Sequence, residues 1–333
     1  MKKLTALAIS LTMLLSFAAC NSNEGGSTAD ADVTETTSVK TDAVKNETEA
    51  EEMTVSEETA ATEPAVEFAE PAAEDFEYNY DAALKGAVIT KYKGTAEAIR
   101  ISTELDGDPV VQFSLKNGKV EYVEISDGFT SISKKAFSDS TNLKSVIIPD
   151  SVTEIGEYAF GLCKKLESIE IPNSVTEIGT TAFYGCTSLE NIEIPNSVTK
   201  IGKSAFCQCQ GLKSINIPSG VTEIIDSTFY GCESLESITI PDSVEYIDKH
   251  AFEDCSALKE ATLPDGVILG DSAFKNCTSL RNLTLSDNIS RSGGSLFEGC
   301  SALTVTYKGN EYNYTNFEDL YEAIPEKEYT LTE

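Results

Sequence analysis

The 333-residue sequence predicts a repeat solenoid, a coil of short parallel strands. The first sign is a period. Phenylalanine recurs at Phe137, Phe160, Phe183, Phe206, Phe229, Phe252, Phe274 and Phe297, every 23 residues apart from one step of 22. The second sign is that the neighbouring positions recur in the same register, so each unit buries its apolar face only against the units beside it. The third is an abrupt change from an acidic, small-residue stretch to this periodic pattern, which marks where the solenoid begins.

Within the unit, each position has a physical role. Leucine follows every anchor by six residues, from Leu143 to Leu303, and cysteine follows by three from Cys163 to Cys300. An alternating run such as Leu166-Glu-Ser-Ile-Glu-Ile-Pro172 comes next. Ile169 and Ile171 point one way and Ser168 and Glu170 the other, as in a half-buried strand. Proline ends that strand because it has no N–H to offer a ladder. Val175 and Ile178 form a returning segment. Gly179 then opens what reads as a short helical turn, with Ala182, Phe183 and Cys186 on one face.

These residues resemble the BspA-type leucine-rich repeats of bacterial surface proteins, whose unit reads roughly L-x-x-I-x-I-P-x-x-V-x-x-I-G-x-x-A-F-x-x-C. The likeness covers residues 120–306, with degenerate entry repeats before it around 86–95 and 105–110. It implies a leucine-rich-repeat right-handed coil with a parallel β-sheet on the concave side and short helical turns on the other. In several members it also implies adhesion to host or bacterial surfaces. Departures gather near the C-terminal end. One residue is missing between Val267 and Phe274, Ala261 replaces a core Ile, Ser286 replaces Pro, and Ser292 stands where Ile belongs.

The N-terminus suggests an address. Met1-Lys-Lys is a positive start, and residues 4–19 are apolar but short for a mature membrane span. The stretch ends Leu15-Ser-Phe-Ala-Ala-Cys20, similar to a bacterial lipoprotein processing site with cleavage before Cys20. Acylation of Cys20 would anchor the chain to a membrane by lipid alone, outside the cytoplasm on the bacterial envelope. The plainer reading is an ordinary secretory signal that contains a cysteine. From Asn21 to Tyr78 there are 17 Asp and Glu against Lys40 and Lys45, about half of the whole chain's net charge of −30. Such a segment cannot bury enough apolar surface to offset chain entropy and is expected to be a disordered acidic linker, with a reach of roughly 40 Å.

The last segment reads as a cap. Residues 305–307 and 312–314 flank Lys308-Gly-Asn-Glu311 as a hairpin, and Thr315 with Glu318 fits a capping box ahead of Phe317, Leu320, Tyr321 and Ile324 at helical spacing. The expected organisation is therefore 1–19 signal peptide, 20–78 lipidated cysteine and linker, 79–119 degenerate N-terminal repeat or cap, 120–306 repeats, and 307–333 C-terminal cap and tail.

Composition speaks against several functions. So acidic a chain, with no basic stripe, is repelled by nucleic acid. His250 is the only histidine and sits in an ordinary repeat position, so a Ser-His-Asp or Cys-His catalytic group lacks support. No glycine-rich phosphate loop or HExxH occurs. No catalytic residue, metal site or cofactor is expected. Seven of the nine cysteines hold one equivalent position and read as a buried thiol ladder without disulfides. Cys207, beside Cys209, is the exception, and two thiols make half a zinc site at best.

The expected partner-binding residues lie on the outward row of the strand face: Glu170, Glu193, Asn216, Thr239, Thr262 and Thr284, with Ile147 ahead of them. A solvated sheet face is the plain reading, and binding an extended partner is the functional one. Two function classes stay open. One is a surface-anchored adhesin or interaction scaffold for a protein or glycoprotein surface ligand. The other is a glycan-capturing lipoprotein serving an uptake system, which the absence of tryptophan and of ring platforms on the strand face disfavours. A structural envelope scaffold is a third.

Overall fold

The computed structural model describes residues 66–116 and 118–327. The signal segment, Cys20, most of the acidic linker and the last six residues lie outside the described residues. The chain divides into two units, Met1–Glu67 and Phe68–Glu333, and the second holds the whole solenoid.

Most coils contribute two short strands where the sequence predicts one. The alternating run gives the expected face ladder in pieces. Ala98–Ile101, Tyr122–Ile125 and Ser145–Ile147 pair in parallel, as do Asn191–Ile192 with Ser214–Ile215, Ser237–Thr239 with Glu260–Thr262, and Asn282–Leu285 with Thr304–Tyr307. Residues 168–170 belong to no strand. The proline after each core isoleucine removes an N–H from this side, which keeps the strands short.

The returning segment forms the steadier ladder. Ser131–Ile132, Glu154–Ile155, Glu177–Ile178 and Lys200–Ile201 make one sheet, and Glu223–Ile224, Tyr246–Ile247, Ile268–Leu269 and Ser290–Arg291 another. No proline interrupts it. Thr153 N–H donates to the Thr130 carbonyl at 2.9 Å and Thr176 N–H to the Thr153 carbonyl at 2.9 Å.

No helix forms around the phenylalanines, contrary to the sequence expectation. Left-handed residues bracket each anchor, as Thr181 (φ 53°) and Gly185 (φ 68°) bracket Phe183. Two such residues four apart cannot belong to one right-handed helix. The chain makes reverse turns, Ala182 N–H to the Gly179 carbonyl and Cys186 N–H to the Phe183 carbonyl, each at 3.2 Å. The Phe183 N–H is thereby free to donate to the Ala205 carbonyl of the next coil at 2.8 Å.

The core follows from that geometry. The rings from Phe137 to Phe274 stack with centroids 5.0–5.6 Å apart and planes within 12° of parallel. The ladder cysteines are buried, and each thiol donates to the phenylalanine carbonyl one coil back, as Cys209 does to Phe183 at 3.1 Å. In the first repeat Ser140 holds the cysteine's place and its hydroxyl donates to the Leu115 carbonyl at 2.7 Å. Glycine at the entry to the turn lets coils approach closely: a Cβ on Gly179 would lie 2.9 Å from the Ile155 carbonyl oxygen. Ile225 stands at that position two coils on, and the ring spacing there, Phe206 to Phe229, is the widest of the parallel stack at 5.6 Å.

Both ends of the stack are closed by turned rings. Phe113 meets Phe137 edge-on at 66°, and Phe317 meets Phe297 tilted by 52°. At the N-terminal end Phe76–Asp81 pairs antiparallel with Gly86–Tyr92, which runs parallel to Asp108–Phe113. Ordered structure thus starts ahead of residue 79. A 3-10 turn at Ala73–Asp75 and the buried Phe76 fall in what composition assigned to the linker.

At the C-terminal end Thr304–Tyr307 and Asn310–Asn313 form the expected hairpin, and the helix Phe317–Ala323 follows. The Thr315–Glu318 capping box does not form. Asn316 is the N-cap, and the Asn313 and Asn316 side chains hold the loop instead, with Asn313 Oδ1 accepting from Thr315. Tyr321 accepts the Phe297 N–H on its hydroxyl at 3.0 Å, the service a further coil would give. Pairing also moves the register at Ser292: Arg291, not Ser292, stands opposite Leu269. Its N–H donates to the Pro325 carbonyl and its Nε to the Tyr321 carbonyl, pinning the cap.

Phe183→Ala should cost about 3–5 kcal/mol through lost burial and a cavity, measured by denaturant unfolding. Cys209→Ser should cost about 1 kcal/mol, since Ser140 shows that a hydroxyl serves the same carbonyl, whereas Cys209→Asp should cost several times more. Equal losses from the two Cys209 variants would contradict the thiol-to-carbonyl assignment. Tyr321→Phe, leaving the Phe297 N–H unpaired, should cost about 1–3 kcal/mol in the same assay.

Candidate functional site

Of the expected outward row, Ile147, Thr239, Thr262 and Thr284 lie in strands, whereas Glu170, Glu193 and Asn216 lie outside them. Ile147, Glu170, Glu193, Asn216, Thr239, Thr262 and Thr284 are all exposed. Thr239 stands directly opposite Thr262, and Thr284 opposite Thr306, so the C-terminal part is a row of threonines in register. Beside them Ser237 faces Glu260 and Asn282 faces Thr304. The isoleucines and leucines between these positions are buried, so the outward residues are fixed to a rigid base.

Charge along the face is uneven. At its border, acids are neutralised by lysines one coil away: Lys144 to Glu121 at 2.6 Å, Lys213 to Glu190 at 2.7 Å and Lys259 to Glu236 at 2.8 Å. Among the described residues no ion pair reaches Glu170 or Glu193. These two carboxylates occupy equivalent positions of successive coils, where like charges repel.

Asn216 differs from its neighbours. Its side-chain oxygen accepts the Ile194 N–H at 2.8 Å, and its amide donates to the Ile194 carbonyl at 2.7 Å. The side chain therefore patches the ladder where backbone pairing lapses, and both ends of its amide are engaged within the protein. A second threonine row, which the outward-strand reading overlooks, runs along the returning ladder as Thr130, Thr153, Thr176, Thr199 and Thr222. The 23-residue spacing is its sequence signal. Two of its hydroxyls, on Thr153 and Thr176, donate to the preceding threonine's carbonyl.

Titratable groups elsewhere make local structural contacts. His250 Nδ1 lies 2.5 Å from the Glu253 carboxylate in the same turn. Among the described residues no group of three His, Cys, Asp or Glu side chains is placed to hold a metal ion, and no helix is long and apolar enough to cross a membrane. Burial pushes the Cys163 thiol up to about 12 and Cys207 up to about 11. Cys186 and Cys232 are raised well above 9.0 for the same reason. Such thiols stay protonated at neutral pH and are weak nucleophiles and metal ligands.

Comparison with known proteins accords with this architecture. A family model described as the BspA type leucine rich repeat region matches residues 110–232 and 176–304. A leucine-rich repeat protein of Bacteroides ovatus is 26% identical, with 70% of each chain covered and a TM-score of 0.59. The leucine-rich repeat protein of T. pallidum is 30% identical, covering 64% of this chain and 91% of that one, with a TM-score of 0.50. No curated protein matches the chain.

The Cys163 thiol gives the protein a pH dependence of known sign. In the unfolded chain a thiol titrates near 9.0, and in the coil Cys163 does so near 12. Its contribution is complete below pH 9 and is lost as pH rises from 9 toward about 12. Melting temperature should fall across that window, and Cys163→Ser should fall less steeply. A variant with the same slope as the parent would count against the assignment.

Proposed function

The chain belongs to the BspA-type leucine-rich repeat family, and on that premise we propose that it is a surface-anchored binding protein whose strand face holds an extended protein or glycoprotein partner. It acts by binding and not by catalysis. The observation that carries this reading is the row Glu170, Glu193, Thr239, Thr262 and Thr284, exposed over a largely buried apolar base, with no ion pair to either carboxylate among the described residues. A flat face of hydroxyl groups next to an acidic end suits a basic or amide-rich segment lying along the axis, with the carboxylates setting its direction. Asn216 belongs to the scaffold of this face, because its amide serves Ile194. Cys20, if acylated, tethers the solenoid to the envelope through the acidic stretch.

The experiment is a binding panel of host matrix proteins, mucins and cell-wall preparations. A soluble form beginning at residue 66 keeps the strand Phe76–Asp81 whole, which a start at residue 79 would cut. Glu170→Lys with Glu193→Lys should weaken binding of a confirmed partner about tenfold and slow association most at low salt. Thr239→Arg with Thr262→Arg should block it sterically, and changes at Lys164 and Thr187 on the turn side should leave it intact. Loss of binding from the turn-side changes alone would move the site off the strand face. For the anchor, the full-length protein should partition into detergent, and Cys20→Ser should abolish this. Unchanged partitioning of a correctly processed Cys20→Ser protein would refute lipidation.

A further inference from the structure

The N-terminal end of the solenoid carries a cleft that belongs to neither ladder. The 3-10 turn Ala73–Asp75, whose entry Ala72 N–H donates to Asp75 Oδ2 at 3.1 Å, leads into the strand Phe76–Asp81. The hairpin between Glu104–Leu105 and Asp108–Phe113 turns at Asp106 and Gly107, both left-handed, and so brings Asp106 beside a residue 28 positions away. Between them lies a cavity of about 410 Å³ lined by Ala72, Ala73, Glu74, Phe76, Tyr78 and Asp106. That volume is within the range of small-ligand sites.

Three properties of the lining point to one ligand chemistry. Its apolar wall is two alanine methyls and two aromatic rings, of which Phe76 is buried and Tyr78 is 36% exposed. Its polar groups include two carboxylates, Glu74 and Asp106, and no lysine or arginine lines it. Among the described residues no salt bridge involves either carboxylate. The Tyr78 hydroxyl donates to Asp106 Oδ2 at 2.8 Å, which fixes the ring's attitude before any ligand arrives. That bond and the charge of Asp106 raise the Tyr78 phenol, so its ring stays neutral at physiological pH.

We propose that this cleft binds the cationic head of a small alkylammonium group, held between the Tyr78 ring face and the Glu74 and Asp106 carboxylates. An aromatic face attracts a weakly hydrated cation through its quadrupole, and a nearby carboxylate adds Coulomb attraction. A neutral sugar could stack on the ring and donate hydroxyls to the carboxylates, but it would bring no positive charge to offset theirs. An anion is repelled by both. The site is independent of the strand face and stands or falls separately from it.

The test uses the full chain with methyl-labelled alanine, so that Ala72 and Ala73 report from the cleft wall, and butyltrimethylammonium as the probe. Saturable shifts of those two methyls are expected, weakening with salt. Asp106→Asn suits the left-handed position and removes one charge, and it should weaken the probe about tenfold. Tyr78→Leu should do likewise. Tyr80→Leu, on the same strand and 54% exposed but outside the lining, should leave binding unchanged and shows that the edge strand tolerates substitution. No response to the probe, an equal response to its uncharged tert-butyl counterpart, or an unaltered response in Asp106→Asn overturns the proposal. Saturation by methyl glucoside in place of the ammonium probe would assign the cleft to neutral sugars and overturn it too.

Discussion

Around the anchor phenylalanines the backbone divides its polar groups between a reverse turn in its own coil and partners in the neighbouring coils. The phenylalanine N–H reaches forward to a carbonyl of the next coil, and its carbonyl receives the next coil's cysteine thiol. This arrangement requires left-handed residues on either side of the ring, and those residues forbid a helix. It brings successive rings to about the coil spacing, so the stack is a consequence of the hydrogen bonding as much as of ring attraction. Because each coil depends on its neighbours for backbone partners as well as for burial, no single repeat has a stable fold of its own.

The same dependence sets the problem at the ends, where a coil has a neighbour on one side only. At the C-terminus the missing coil is imitated group by group. Tyr321 stands in for a backbone acceptor, Phe317 for the next ring, and residues 325–327 for the next strand beside Arg291. At the N-terminus the solution is coarser: Ser140 and Phe113 close the thiol and ring columns, and an antiparallel hairpin covers what remains. That hairpin, freed from the repeat geometry, is also where a cleft with an exposed tyrosine, Tyr78, forms.

Repetition leaves the outward rows chemically open. Core positions are the same in almost every coil, whereas the face row changes from carboxylate to hydroxyl along the axis. Lysines spaced one coil from glutamates neutralise most of the flanking acids, and such exposed pairs add little stability individually. Their absence around Glu170 and Glu193 leaves a charge pattern that the coil does not need for its own packing. This is the physical basis for proposing that the face meets a partner.

The sequence by itself determined the period, the buried columns of phenylalanine, leucine and cysteine, the outward row and the C-terminal hairpin. Each of these depends on side-chain spacing, which one chain displays directly. Only the tertiary structure decided what depends on contacts between coils. The returning Val-x-x-Ile segment became the steadier ladder because its amides meet carbonyls 23 residues away. The helical reading of residues 179–186 failed because apolar spacing does not reveal left-handed backbone at a threonine such as Thr181. Asn216 reads in sequence like any polar surface residue, and its amide is engaged only because Ile194 lies one coil away with backbone groups to satisfy. Asp106 and Tyr78, too, are distant in sequence and meet only where two hairpins close the solenoid's end.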